Sequence, residues 1–183
     1  MTVWNNDPLV LYHGCTEQSL RPANKHGIRT GSLPHNIDIS FGSPVAEFGR
    51  GFYVTTSLSQ AKSWANARAR RIAAKTKSPP PAAVVIRFDA DRNRLSKLEA
   101  LVFTNELGDF WQFVYFCRGG SAPHARQNWH CARYDAVYGP VSIWPQPLVI
   151  KDTDQVSFHT DKSLQVLPAA EIACVGNPYL QKL

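Results

Sequence analysis

The sequence lacks paired cysteines. Its four, Cys15, Cys117, Cys131 and Cys174, lie far apart, with no CxxC and no Cys/His pair at ligand spacing. Structural zinc needs such clusters, so no metal is expected, and nothing supports a thiol nucleophile in His130-Cys131 with the remote His13; all four read as small buried hydrophobes. Apolar runs are short. None approaches the ~20 residues that a spanning helix requires, and Met1 to Asp7 lack the basic-then-apolar order of a secretory signal. The expectation is a cytoplasmic protein without a membrane partner. Acidic residues are scarce, 14 against 20 lysines and arginines, so the net charge of +6 favours a polyanion over an acidic protein as a contact. Low-complexity sequence is confined to one short patch, and with 44% hydrophobic and 11% aromatic residues the chain carries enough apolar surface to exclude global disorder. At 183 residues it can bury a core without staples, and 1–183 reads as a single domain.

What is present centres on Phe48-Gly49-Arg50-Gly51-Phe52-Tyr53-Val54-Thr55-Thr56-Ser57. Two glycines flank an arginine, an aromatic pair and a β-branched run follow, and Ser57 has the residue type of a helix N-cap. The order is glycine turn, strand, capped helix. Glycines let backbone approach a ligand, and Tyr53 offers a flat ring with a polar tip.

Upstream, Leu9 to Tyr12 predicts a buried strand that delivers His13 to its tip, with Gly14 turning behind it. Ser19 to Asn24 predicts a short helix or turn, and the segment from Gly27 to Val45, rich in Gly, Ser and Pro, is a lid candidate. Downstream, Leu58, Ala61, Trp64, Ala65, Ala67 and Ala69 predict the core face of a helix that Pro79-Pro80-Pro81 ends. The cluster Arg68, Arg70, Arg71, Lys75 and Lys77 suits the C-terminal end of that helix dipole and reads as a solvated helix end. A strand is expected over Ala82 to Phe88, an amphipathic and partly helical stretch over Leu95 to Leu107, and a buried helix from Phe110. Tyr134 to Val141 predicts a strand closed by a Gly-Pro turn. Alternation in Asp154 to Thr160 places Gln155, Ser157 and His159 on one face of another. Asp161 is a candidate cap for a helix of Lys162 to Leu167, and Ile172 to Val175 for a last strand. Strands with few helices in no repeating order argue α+β with mixed or antiparallel sheets.

Tyr12-His13-Gly14, then Phe48-Gly49-Arg50-Gly51-Phe52-Tyr53, then a short strand with a polar outward residue, resemble in order the three signatures of the ADP-ribosyltransferase superfamily. The likeness is to its histidine-tyrosine branch, which includes diphtheria toxin and the poly(ADP-ribose) polymerases. It extends to a bacterial family, often encoded at toxin-antitoxin loci, with strings similar to Tyr-Asp-Ala-Val-Tyr-Gly-Pro-Val and Gln-Val-Ser-Phe-His-Thr. In the polymerases a second stacking aromatic stands eleven positions after the tyrosine, and here Trp64 stands at that spacing from Tyr53.

The resemblance implies a split β-sheet core, two small mixed or antiparallel sheets with flanking helices, clamped around NAD as co-substrate. It implies that Phe52, Tyr53 and Trp64 bind NAD+, with nicotinamide stacked between Tyr53 and the ring at 64 and its amide held by Gly14 backbone. His13 would bond the adenosine-side ribose, so that His13, Tyr53 and Gln155 form the catalytic set. The chemistry implied is mono-ADP-ribosyl transfer to a protein or nucleic-acid acceptor, in a toxin or effector that an antitoxin or immunity protein would neutralise. Two positions depart from the polymerases. Gln155 stands where they carry a glutamate, which leaves Asp152 and Asp154 as candidates for the missing charge, and Ala61 stands where they carry a serine. The alternatives are an NAD glycohydrolase, a weakly catalytic NAD or ADP-ribose binding module, and a basic nucleic-acid-binding protein.

Overall fold

The computed structural model describes residues 8–20, 28, 30–31, 36–39, 42–119 and 134–176. Strand β1 (Val10–Thr16) runs into a 3-10 turn (Glu17–Leu20), and after the glycine turn come β2 (Phe52–Val54) and helix α1 (Leu58–Thr76). Then follow β3 (Ala83–Asp89), α2 (Arg92–Leu95), β4 (Ala100–Val102), α3 (Gly108–Arg118), β5 (Ala136–Gly139), β6 (Gln155–Phe158), α4 (Asp161–Leu164) and β7 (Glu171–Gly176). They form two small sheets, ordered β1-β3-β7 and β2-β6-β5-β4. Only the β4–β5 pair is parallel. The architecture is α+β, and among the described residues no helix is long and apolar enough to cross a membrane.

One bridge joins the two sheets. Tyr12 N–H donates to Thr55 C=O at 2.8 Å and Thr55 N–H returns to Tyr12 C=O at 2.9 Å. Between the sheets lies a core of Leu11, Val84, Ile86 and Phe88 from one and Phe52, Val54 and Phe158 from the other. The strand period of two sends Tyr53 to the opposite face, against Phe48, Phe110, Phe113 and Val137 under α3.

Helix α1 covers the outer face of β1 and β3. Ser57 caps it, its Oγ accepting the Gln60 N–H at 3.2 Å, and Lys77 ends it in the left-handed region with φ 53°. Its buried stripe is Ala61, Ala65, Ala69 and Ala73, small side chains four apart that let the helix lie close to the sheet. Gly14 completes that contact. A Cβ on Gly14 would stand 2.2 Å from the Ala61 carbonyl oxygen, so its first requirement is packing against α1. Leu58 and Trp64, expected on the core face, lie off this stripe and are exposed.

Three further expectations are corrected. His13 sits in the middle of β1, not at its tip, because β1 continues through Thr16. The helical pattern of Leu95 to Leu107 gives way to α2 and the strand β4, since Asp135 N–H donates to Glu99 C=O at 2.7 Å and draws this segment alongside β5. Helix α4 is capped by Thr160, in a reciprocal box with Ser163, and not by Asp161. The lid candidate lies largely outside the described residues.

The Asp135 carboxylate ties β4, β5 and α4 together, accepting from Thr160 Oγ1 (2.7 Å), Lys162 Nζ (2.8 Å) and Glu99 N–H (3.1 Å). Burial by itself would raise its pKa, but the bonds from Lys162, Thr160 and Glu99 outweigh it and hold the carboxyl below its usual range. A folded pKa below the unfolded one contributes stability above the unfolded value, and that stability is lost as pH falls through the folded value. Urea titration of Asp135→Ala at neutral pH is therefore expected to show a loss of about 2 kcal/mol, mostly from stranding the Glu99 and Thr160 donors. The difference from wild type should shrink in acid.

Candidate functional site

The alternation of β1 sets the first half of the site. Ala90 N–H donates to Leu9 C=O and Glu17 N–H to Ala82 C=O, so odd-numbered residues bond β3 while Tyr12 and Gly14 direct their backbone groups to the other edge. Tyr12 spends its pair on Thr55. One step further along, where the sheets part, the N–H and C=O of Gly14 take no backbone partner among the described residues.

His13 crosses the split with its side chain. Its Nδ1 is 2.7 Å from the Tyr53 carbonyl oxygen, and because a carbonyl only accepts, Nδ1 carries the proton. The ring rests on Phe52, with centroids 4.5 Å apart. Burial depresses the imidazole to a pKa of about 4, against the carbonyl bond that favours its cation and with a further push from Arg68. At neutral pH the ring is uncharged, and Nε2 keeps a lone pair that can accept from a hydroxyl.

Tyr53 is held from both sides. Its hydroxyl donates to Gly49 C=O at 2.6 Å and accepts Phe48 N–H at 2.9 Å, which bends the chain back over the ring. Gly49 has φ +82°, a conformation that favours glycine. Burial pushes the hydroxyl pKa well upward, so Tyr53 is a neutral, positioned ring. On the ladder it faces Ser157.

The shared face of β6 braces the same turn. His159 Nδ1–H donates to Arg50 C=O at 2.8 Å, and its Nε2 accepts from Ser157 Oγ at 2.7 Å. A Cβ on Gly51 would meet the His159 ring at 2.9 Å. Both are buried, Ser157 completely. They work as the floor under the glycine turn.

Gln155, the third residue of that face, is also buried, and its Nε2 donates to Pro140 C=O at 3.1 Å. Beside it stands Glu47, only 5% exposed, which the sequence did not single out. Glu47 Oε1 accepts Ser142 N–H at 2.7 Å, Oε2 lies 3.7 Å from Arg118, and the carboxylate is in side-chain hydrogen-bonding range of Gln155. Burial raises its pKa against these favourable contacts. Asp154 is engaged elsewhere, accepting from Thr55 Oγ1 (2.6 Å), Thr56 N–H (2.9 Å) and Thr56 Oγ1. Asp152 is exposed at a left-handed turn position with φ 56°.

Trp64 is half exposed on the flank of α1, with the Arg71 guanidinium 5.1 Å from its ring centre. Tyr53 and Trp64 make no direct ring contact. Trp64 lies one residue before Ala65, whose backbone meets Gly14.

The fold and site define an α+β protein of two small sheets, split beyond one bridge, with a neutral histidine, a fixed tyrosine and a buried amide-carboxylate pair around the split. The chain belongs to the family described as protein of unknown function (DUF3990), whose sequence model matches residues 9–143, well over half its length. That span includes His13, Glu47 and Tyr53 and stops short of Gln155. No curated protein and no solved structure matches the chain.

Proposed function

We propose that this protein is an NAD-dependent mono-ADP-ribosyltransferase with a toxin-like role, acting on a protein or nucleic-acid acceptor. The observation that carries the reading is the His13 to Tyr53 hydrogen bond across the split, which leaves Nε2 as an acceptor beside the free backbone edge of Gly14. One N–H and one C=O on that edge complement the C=O and NH2 of a carboxamide, as in nicotinamide. His13 Nε2 would accept from the adenosine-side ribose, Tyr53 would stack on the nicotinamide, and Trp64 would close the stack from α1. Gln155 would bond the nicotinamide-side ribose.

The reaction breaks the bond between C1′ of that ribose and the pyridinium nitrogen. Nicotinamide leaves with the electron pair, positive charge develops on the sugar, and an acceptor atom bonds C1′ and loses its proton. The residues need only orient the sugar and support the charge. Water in place of the acceptor gives the glycohydrolase. A non-catalytic NAD-binding module is the second reading, favoured by the neutral side chain at Gln155. A neutralising antitoxin or immunity protein remains part of the proposal.

Calorimetry with NAD+ together with a nicotinamide-release assay tests the reading. Binding with release supports the enzyme, binding without release the module, and neither sinks both. His13→Ala is expected to raise KM for NAD+ about tenfold, the value of one lost hydrogen bond, with the melting temperature little changed. A destabilised variant with normal KM would make His13 a core residue only.

A further inference from the structure

We infer that Glu47 is the positioning residue of this site: it holds the Gln155 amide with its oxygen outward, so that the two side chains together replace a single carboxylate. The inference rests on the transferase reading above. The orientation of a carboxamide follows from its neighbours. Pro140 presents a carbonyl oxygen at 3.1 Å, which can only accept. Glu47, when ionised, also only accepts. Both neighbours therefore demand the NH2 end, its two hydrogens are used, and Oε1 is left to accept from a ribose hydroxyl. A charge behind the amide also polarises it and strengthens that oxygen as an acceptor.

Packing alone does not explain a carboxylate at position 47. Its side chain is 5% exposed, and a buried charge costs free energy unless it is well paired. Its only ion-pair distance, to Arg118, is 3.7 Å, whereas a closed charge-assisted bond is about 2.8 Å. Its shortest bond is to the Ser142 backbone N–H at 2.7 Å, which any acceptor could make. A neutral glutamine at 47 would fill the same space without the charge, but a Gln–Gln pair accepts either amide orientation. Only the ionised acid excludes the flipped state.

Protonation of Glu47 would remove the preference, because a carboxylic acid can donate to Oε1 as well as accept from Nε2. The ionisable groups around it are Arg118 and Cys117 on α3 and Tyr53 on β2. Burial pushes the Cys117 thiol and the Tyr53 hydroxyl upward, away from the acidic range where Glu47 titrates. Glu47 itself is raised, so its titration falls above the usual glutamate range.

The experiment has two arms on the full chain. In the first, NMR follows the Gln155 side-chain NH2 of the ligand-free protein, identified by its loss in Gln155→Ala, as pH is lowered. The resonances are expected to shift with a midpoint above the usual glutamate range and to stop doing so in Glu47→Gln. In the second, Glu47→Gln is expected to lower kcat for nicotinamide release about tenfold, with the NAD+ Kd unchanged, and to have no further effect on top of Gln155→Ala. A wild-type protein with no response to NAD+ defeats the transferase reading itself. An amide indifferent to Glu47, or additive losses in a protein that does release nicotinamide, overturns the role of Glu47 alone.

Discussion

Tyr53→Ala is expected to weaken NAD+ binding about tenfold to a hundredfold, because losing an aromatic face against a cationic pyridinium costs on the order of 1–3 kcal/mol. Two effects have to be separated. The hydroxyl of Tyr53 also ties Gly49 C=O and Phe48 N–H, so its loss loosens the glycine turn. Tyr53→Phe keeps the ring and removes only those bonds, and should lower the melting temperature while retaining most of the affinity. Calorimetry on both variants, after circular dichroism shows them folded, distinguishes stacking from bracing. Unchanged affinity in folded Tyr53→Ala would remove the stacking premise.

Gln155→Ala should reduce nicotinamide release about a hundredfold and change the NAD+ Kd little, since a bond to the nicotinamide-side ribose matters most when positive charge appears there. Single-turnover release and equilibrium binding measure the two quantities independently. The neighbouring carboxylate makes Gln155→Glu informative. Two carboxylates in this space cannot both ionise easily, so the pair would share a proton and one apparent pKa would rise. Any gain in release from the new charge should therefore emerge only as pH increases. Full activity in Gln155→Ala would mean that β6 does not reach the reacting sugar.

The mixed outcome of these tests would also bear on the acceptor. Release that depends on Gln155 in the absence of any acceptor measures hydrolysis, whereas stimulation by a lysate fraction measures transfer. Separate protease and nuclease digestion of that fraction then decides between a protein and a nucleic acid.

Much of the local structure was legible in the chain itself. The capped start of α1 at Ser57, the strand of β3, the buried helix α3 and the common face of Gln155, Ser157 and His159 follow from residue preferences and from periods of 3.6 and 2. These are short-range constraints, and neighbouring residues carry them. Glu47 carries no such signal. It precedes the glycine turn in a segment without periodicity and reaches Gln155, far along the chain, only because β2 pairs with β6. The same pairing committed Asp154 to Thr55 and Thr56 rather than to the site. Pairing with β5 turned part of Leu95 to Leu107 into a strand, and close contact with Gly14 selected the alanine stripe of α1 over the larger Leu58 and Trp64. Local preference is worth tenths of a kcal/mol per residue, and a sheet ladder or a buried bond outweighs it, so the partners of the site were decided by tertiary contact.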